Sequence, residues 1–150
     1  MPAGNEGRKT NYYGQECRNG VVGMILGIGI DIVEIGRIRA ALERPGFAAR
    51  VFTAAEREYC DGRGAQRTAS FAARFAGKEA VFKAFGTGLS AGSWQDVEIL
   101  TDAAGRPTVR LRGFFGELAA RQGATAVHIS LSHAREYATA QVILQGGGEG

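Results

Sequence analysis

Residues 27–33, Gly27-Ile28-Gly29-Ile30-Asp31-Ile32-Val33, alternate in a way that fixes one extended strand. Ile28, Ile30 and Ile32 fall on one face, and Gly27, Gly29, Asp31 and Val33 on the other. The pattern predicts a strand over Ile25 to Val33, with the Asp31 carboxylate turned away from the isoleucine row. A carboxylate inside an apolar strand is costly unless a cation or hydrogen-bond donors meet it. Asp31 is therefore read either as half of a structural salt bridge or as an oxygen ligand. Gly27-Ile28-Gly29 is not a dinucleotide-binding fingerprint, because no GxGxxG opens a helix after it.

Outward from this strand, a short helix is expected from Ile35 to Glu43, stopped by Pro45-Gly46. Thr53-Ala-Ala-Glu56 has the spacing of a capping box and opens another. The longest helix spans Gln66 to Phe85 and ends in Gly86-Thr87-Gly88. Trp94 to Leu100 and Pro107 to Leu111 read as strands joined at Ala104-Gly105, and Phe114 to Arg121 as a helix. Val127 to Leu131 and Tyr137 to Leu144 read as a hairpin. The sum is an α+β fold with a mainly antiparallel sheet and one long helix.

Residues 1–23 are polar and rich in Gly and Asn, which predicts a disordered extension, with Met24 a candidate natural start. Residues 24–145 form the one domain, and 146–150 read as a flexible glycine-rich tail. The chain has 150 residues, 45% of them hydrophobic, enough for one core and no second catalytic domain. A net charge of +3 suits an anionic partner without choosing one. Cys17 and Cys60 lie outside any CxxC pattern, which argues against a zinc site or a disulfide framework and for a reducing, cytoplasmic setting. The apolar stretch Val21 to Ile35 is interrupted by glycines, Asp31 and Glu34, too broken for a membrane span.

On the long helix, Phe71, Phe75, Phe82 and Phe85 make one apolar stripe, and Glu79 and Lys83 lie along its edge one turn apart. Glu79 and Lys83 are either a surface ion pair or a metal-binding carboxylate beside a phosphate-binding ammonium. Lys78 falls within the stripe, where its stem could snorkel along the core edge. Arg74 lies near the opposite edge. His128 and His133 fall on opposite faces of their strand, which makes them poor candidates for a shared metal site. A histidine at a strand end, such as His133 beside Ser132, can reach a phosphate.

These pieces, in this order, resemble the holo-acyl-carrier-protein synthase family. The matching segments are GIGIDIVEIGRI at Gly27 to Ile38, FAARFAGKEAVFKAFGTG at Phe71 to Gly88 and HISLSHAREYATAQV at His128 to Val142, with WQDVEI and a GRP turn between. The resemblance runs from Met24 to about Leu144. It implies the 4′-phosphopantetheinyl transferase fold and transfer of phosphopantetheine from coenzyme A to a serine of an acyl carrier protein. It further implies Mg²⁺ held by Asp31 and Glu79, with Lys83 beside the pyrophosphate and catalysis resting on these three. Arg74 and His133 match residues that help bind the nucleotide part of coenzyme A, and Arg37 matches a basic position that meets the acidic carrier. A homotrimer with coenzyme A between neighbouring subunits is implied as well.

Two rivals stand beside that reading. A basic nucleic-acid-binding module would interleave its arginines with exposed aromatics, whereas most phenylalanines here fall on a core stripe, so no nucleic-acid partner is expected. A catalytically silent paralogue would keep the fold and bind coenzyme A or the carrier without transfer; Asp31, Glu79 and Lys83 together argue against it.

Overall fold

The computed structural model describes residues 23–89 and 92–147. The expected disordered extension, apart from Gly23, lies outside the described residues, as do Cys17 and the last three residues of the tail. β1 (Gly23–Glu34) is followed by α1 (Ile35–Leu42), α2 (Phe47–Val51), α3 (Ala54–Asp61) and the long α4 (Arg67–Phe85). Then come β2 (Val97–Thr101), β3 (Pro107–Leu111), α5 (Gly113–Gln122), β4 (Ala124–His133) and β5 (Tyr137–Gly147). The strands make an antiparallel sheet in the order β1-β5-β4 and a separate β2-β3 ribbon, which matches the expected α+β class.

β1 lies flat against α4 because its inward face carries glycines. A Cβ at Gly27 would sit 2.0 Å from the Ala84 carbonyl oxygen, and one at Gly29 would sit 1.8 Å from that of Ala80. No side chain larger than hydrogen fits there. The central strand β5 presents Ala138, Ala140, Val142 and Leu144 to the same helix, all of them buried. On the outward face the isoleucines are exposed among the described residues: Ile28, Ile30 and Ile32 by 58%, 61% and 65%.

α4 is buried almost all round and divides the core in two. Its C-terminal half packs Phe82 and Phe85 against Phe115 of α5 together with β2, β4 and β5. Its N-terminal half packs Phe71 against Phe52 and gathers α1, α2 and Cys60 of α3. Burial pushes the Cys60 thiol up to about 11, so it stays an inert core group.

Several expectations shift by a few residues. The short α2 was not foreseen. The strand expected from Trp94 begins at Val97, because Trp94–Asp96 is a 3₁₀ turn; Ser93 Oγ accepts from Gln95 N, and Asp96 Oδ2 accepts from Ser93 N. The last hairpin is longer than its apolar runs. Gly146 and Gly147, read as tail, pair with Met24 and Gly23 in the ladder, and Gly146 is buried. A glycine row that looks flexible by composition is held here by backbone hydrogen bonds.

Lys78 is the clearest departure. Instead of snorkelling, it is fully buried, and its ammonium donates to Glu56 Oε1 at 2.8 Å, to the Trp94 carbonyl at 3.1 Å and to the Val97 carbonyl. Glu56, also 0% exposed, completes the capping box of α3 and accepts from Ile99 N at 3.0 Å through Oε2. The pair ties α3, α4 and the start of β2 together. Desolvation still lowers the Lys78 pKa, against the pull of Glu56.

Lys78→Met keeps the volume but strands a charged Glu56 in the core, so it should cost about 3–5 kcal/mol of unfolding free energy in denaturant titration. Adding Glu56→Gln to that background should recover part of the loss.

Candidate functional site

β1 and α4 place three of the expected residues together. Asp31 is the next inward residue after Gly29, and Glu79 and Lys83 each precede by one residue the alanines that touch the glycines. Lys83 does not pair with Glu79 one turn earlier, as a surface pair would. Its ammonium reaches across to Asp31 Oδ1 at 3.1 Å and the Ile30 carbonyl at 3.0 Å.

Glu79 is half-buried, and both carboxylates line one cavity of about 320 Å³ with Val33, Arg37, Ile38, Arg44, Phe47 and Phe75. Desolvation raises the Glu79 pKa, the Asp31 charge raises it further, and Lys83 opposes both.

The two carboxylates suit Mg²⁺, which takes one or two protein carboxylates and fills its other positions with water and substrate phosphates. Among the described residues no group of three or more His, Cys, Asp or Glu converges.

His133 lies elsewhere. It lines a second cavity, of about 450 Å³, with Arg39, Gln66, Thr68 and Arg135, and shares none of the residues around Asp31. Arg39 and Arg135 also line an adjoining hollow at the start of α1 with Glu34, Glu136 and Tyr137. α1 therefore stands between two sites, with Arg37 and Ile38 facing the carboxylates and Ile35 and Arg39 facing His133.

Arg74, expected beside the nucleotide, is only 3% exposed. Its Nε donates to the Ile99 carbonyl at 3.2 Å, an Nη donates to Thr101 Oγ1 at 2.9 Å, and the guanidinium lies 4.2 Å from the centre of the Tyr59 ring. It fastens α4 to β2 and to α3, and it reaches neither cavity. The sequence reading singled out neither Arg44 and Phe47 for the first cavity nor Arg135 for the second. Arg44 and Arg135 lie within turns and Phe47 directly after one, and neither periodicity nor spacing marks such positions.

The family model of the 4′-phosphopantetheinyl transferase superfamily matches residues 27–142. The chain is 51% identical over 128 residues to the holo-[acyl-carrier-protein] synthase of Desulforudis audaxviator, covering 84% of this chain and 97% of that one. In structure it is similar to the holo-(acyl-carrier-protein) synthase of Bacillus anthracis in complex with CoA (3′,5′-ADP), with TM-score 0.69, 39% identity and 82% and 98% of the two chains covered. It is also similar to the Helicobacter pylori holo-[acyl-carrier-protein] synthase in complex with coenzyme A, with TM-score 0.69, 30% identity and 78% and 98% covered.

A carboxyl that holds its proton more tightly in the folded chain than in the unfolded one contributes stability below the ordinary glutamate range, about 4.3, and loses it as pH rises through the elevated value. Metal-free Glu79→Gln should therefore melt above wild type at pH 7.5. The gap should close as pH falls toward 4, as followed by calorimetry.

Proposed function

The chain belongs to the 4′-phosphopantetheinyl transferase superfamily, alongside its holo-[acyl-carrier-protein] synthases, and from that footing we propose that it transfers 4′-phosphopantetheine from coenzyme A to a serine of an apo acyl carrier protein. The observation that carries this is the cavity with Asp31 and Glu79 on its wall and Lys83 bonded to Asp31, within a fold shared with synthases solved with coenzyme A.

Asp31 and Glu79 would hold Mg²⁺, whose charge, when bound, neutralises the pyrophosphate and favours in-line attack. Lys83, half-exposed at the end of α4, can turn its ammonium to the same pyrophosphate and offset negative charge on the leaving 3′,5′-ADP. The serine Oγ forms its bond to the phosphorus bearing pantetheine, and the bond from that phosphorus to the bridging oxygen of 3′,5′-ADP breaks. Glu79, or a water beside it, takes the serine proton, a role its raised proton affinity suits. Positioning and charge supply most of the rate.

Arg37 is exposed at the mouth of this cavity, and Arg44 lines it as well. Both suit an acidic carrier drawn in by long-range attraction that weakens with salt. Below them Ile38, Phe47 and Phe75 offer an apolar floor.

A homotrimer is the second part of the proposal. Its support is the uncovered row of Ile28, Ile30 and Ile32, an apolar stripe on the outward face of the sheet of a kind that marks an interface. The separation of His133 from Asp31 points the same way. If His133 binds the nucleotide whose pyrophosphate meets Asp31, the two come from different subunits. Arg74 would then act by bracing α4 and β2 next to the nucleotide. A cytoplasmic setting fits a coenzyme A-dependent enzyme, and no described helix is long and apolar enough to cross a membrane.

An apo acyl carrier protein incubated with this protein, coenzyme A and Mg²⁺ should gain the mass of one phosphopantetheine in intact mass spectrometry, and EDTA should abolish the gain. Coenzyme A binding with no gain on any carrier would favour the silent paralogue. Asp31→Ala should lower transfer at least about a hundredfold with the melting transition preserved.

Ile30→Glu should give a monomer by light scattering, with little transfer. Asp31→Ala and His133→Ala, each weak alone, should recover activity when co-expressed, because mixed trimers rebuild some intact sites. No recovery in confirmed mixed trimers would put both residues in one subunit's site.

A further inference from the structure

The Lys83 ammonium spends two of its three donors on the strand that carries the candidate metal ligand, one on Asp31 Oδ1 at 3.1 Å and one on the Ile30 carbonyl at 3.0 Å. Asp31 is mostly covered, with 17% of its side chain exposed against 54% for Lys83. One partner is fixed by the sheet, while the other ends a flexible stem that can swing away.

A divalent cation approaching Asp31 meets this ammonium on one of the two carboxylate oxygens. It must either displace Lys83 or sit beside it against like-charge repulsion. A pyrophosphate changes the balance, because it gives Lys83 another anion to bind while supplying oxygens to the metal. We propose that Lys83 couples the two ligands: without substrate its ammonium is the counter-cation of Asp31 and opposes the metal, and pyrophosphate binding draws it off and opens the site.

This rests on the reading that Asp31 and Glu79 hold the metal, and goes beyond it in making Lys83 the group that links metal affinity to the pyrophosphate. Because linkage is reciprocal, coenzyme A must tighten the metal by the same factor as the metal tightens coenzyme A. An exposed lysine–carboxylate pair with no such role would be worth little to stability, and its removal would leave the effect of coenzyme A on metal affinity unchanged.

The test is titration of the intact protein with Mn²⁺, an oxygen-seeking stand-in for Mg²⁺, reading free Mn²⁺ by electron paramagnetic resonance with and without saturating coenzyme A. In wild type, coenzyme A should tighten Mn²⁺ markedly. Lys83→Gln should bind Mn²⁺ alone about tenfold more tightly than wild type, as loss of one charge at this range allows. The tightening due to coenzyme A should shrink by a similar factor. Lys83→Met should behave alike, with melting curves confirming the fold of both.

Arg44→Gln removes a charge from the same cavity without touching Asp31, and should change Mn²⁺ affinity less than about twofold. The coupling role is overturned if Lys83→Gln binds Mn²⁺ alone no more tightly than wild type, if it keeps the full effect of coenzyme A, or if Arg44→Gln has an equal effect. If wild type holds no Mn²⁺ even with coenzyme A, or Asp31→Asn holds it as well as wild type, the metal site itself fails and the coupling with it.

Discussion

The structure hangs on how closely β1 approaches α4. Where Cβ atoms of Gly27 and Gly29 would stand, the helix has its Ala84 and Ala80 carbonyl oxygens. That approach is open only to glycine on the strand, and alanine on the helix keeps the contact shallow. Its consequence is chemical. Successive helix residues are turned by about 100°, so Glu79 and Lys83 sit just to one side of the line along which Ala80 and Ala84 touch the strand. The next inward strand residue after Gly29 is Asp31, which meets them there. Two carboxylates and an ammonium converge because two glycines removed the side chains that would have held the elements apart.

A second constraint holds α4 from the opposite side. Burying Lys78 and Glu56 is expensive for each alone, and their pairing offsets this only because the remaining donors and acceptors are met by Trp94, Val97, Thr53 and Ile99. A wholly apolar contact would tolerate rotation of the helix about its own axis. This network has directional bonds to α3 and β2, so it selects one rotation. Lys78 and Glu79 are adjacent, and fixing the first toward β2 fixes the second toward β1 and its cavity.

Much of this was legible in residue order. Alternation in residues 27–33 placed Asp31 opposite the isoleucines, and the structure keeps it there. Periodicity gave α4, and the Thr53–Glu56 spacing gave the capping box. Short-range patterns do not carry the partners of charged groups. Lys78 could be seen to fall on an apolar face, but its counter-charge lies twenty-two residues earlier, and a snorkelling stem satisfied the same pattern. Arg74 illustrates the converse. Its place in a family motif suggested a ligand, while its surroundings in the chain are Ile99, Thr101 and Tyr59, which only the packing of β2 and α3 reveals. Gly146 and Gly147 misled for a related reason, since composition reports chain entropy and says nothing of the ladder partner across the sheet.

The two cavities on either side of α1 give the remaining step. The described residues hold one long helix, one three-stranded sheet and the β2-β3 ribbon. The sheet uses its inner face to build the core and the carboxylate site, which leaves the outer face and the far side of α1 free. The basic cavity with His133, Arg39 and Arg135 shares no lining residue with that of Asp31, yet it has the charge that a nucleotide phosphate calls for. The uncovered isoleucines of β1 lie on the strand that carries Asp31. Covering that row with another copy would place a neighbouring subunit beside the strand of the carboxylate site. Burial of apolar surface and completion of the site would then be a single event.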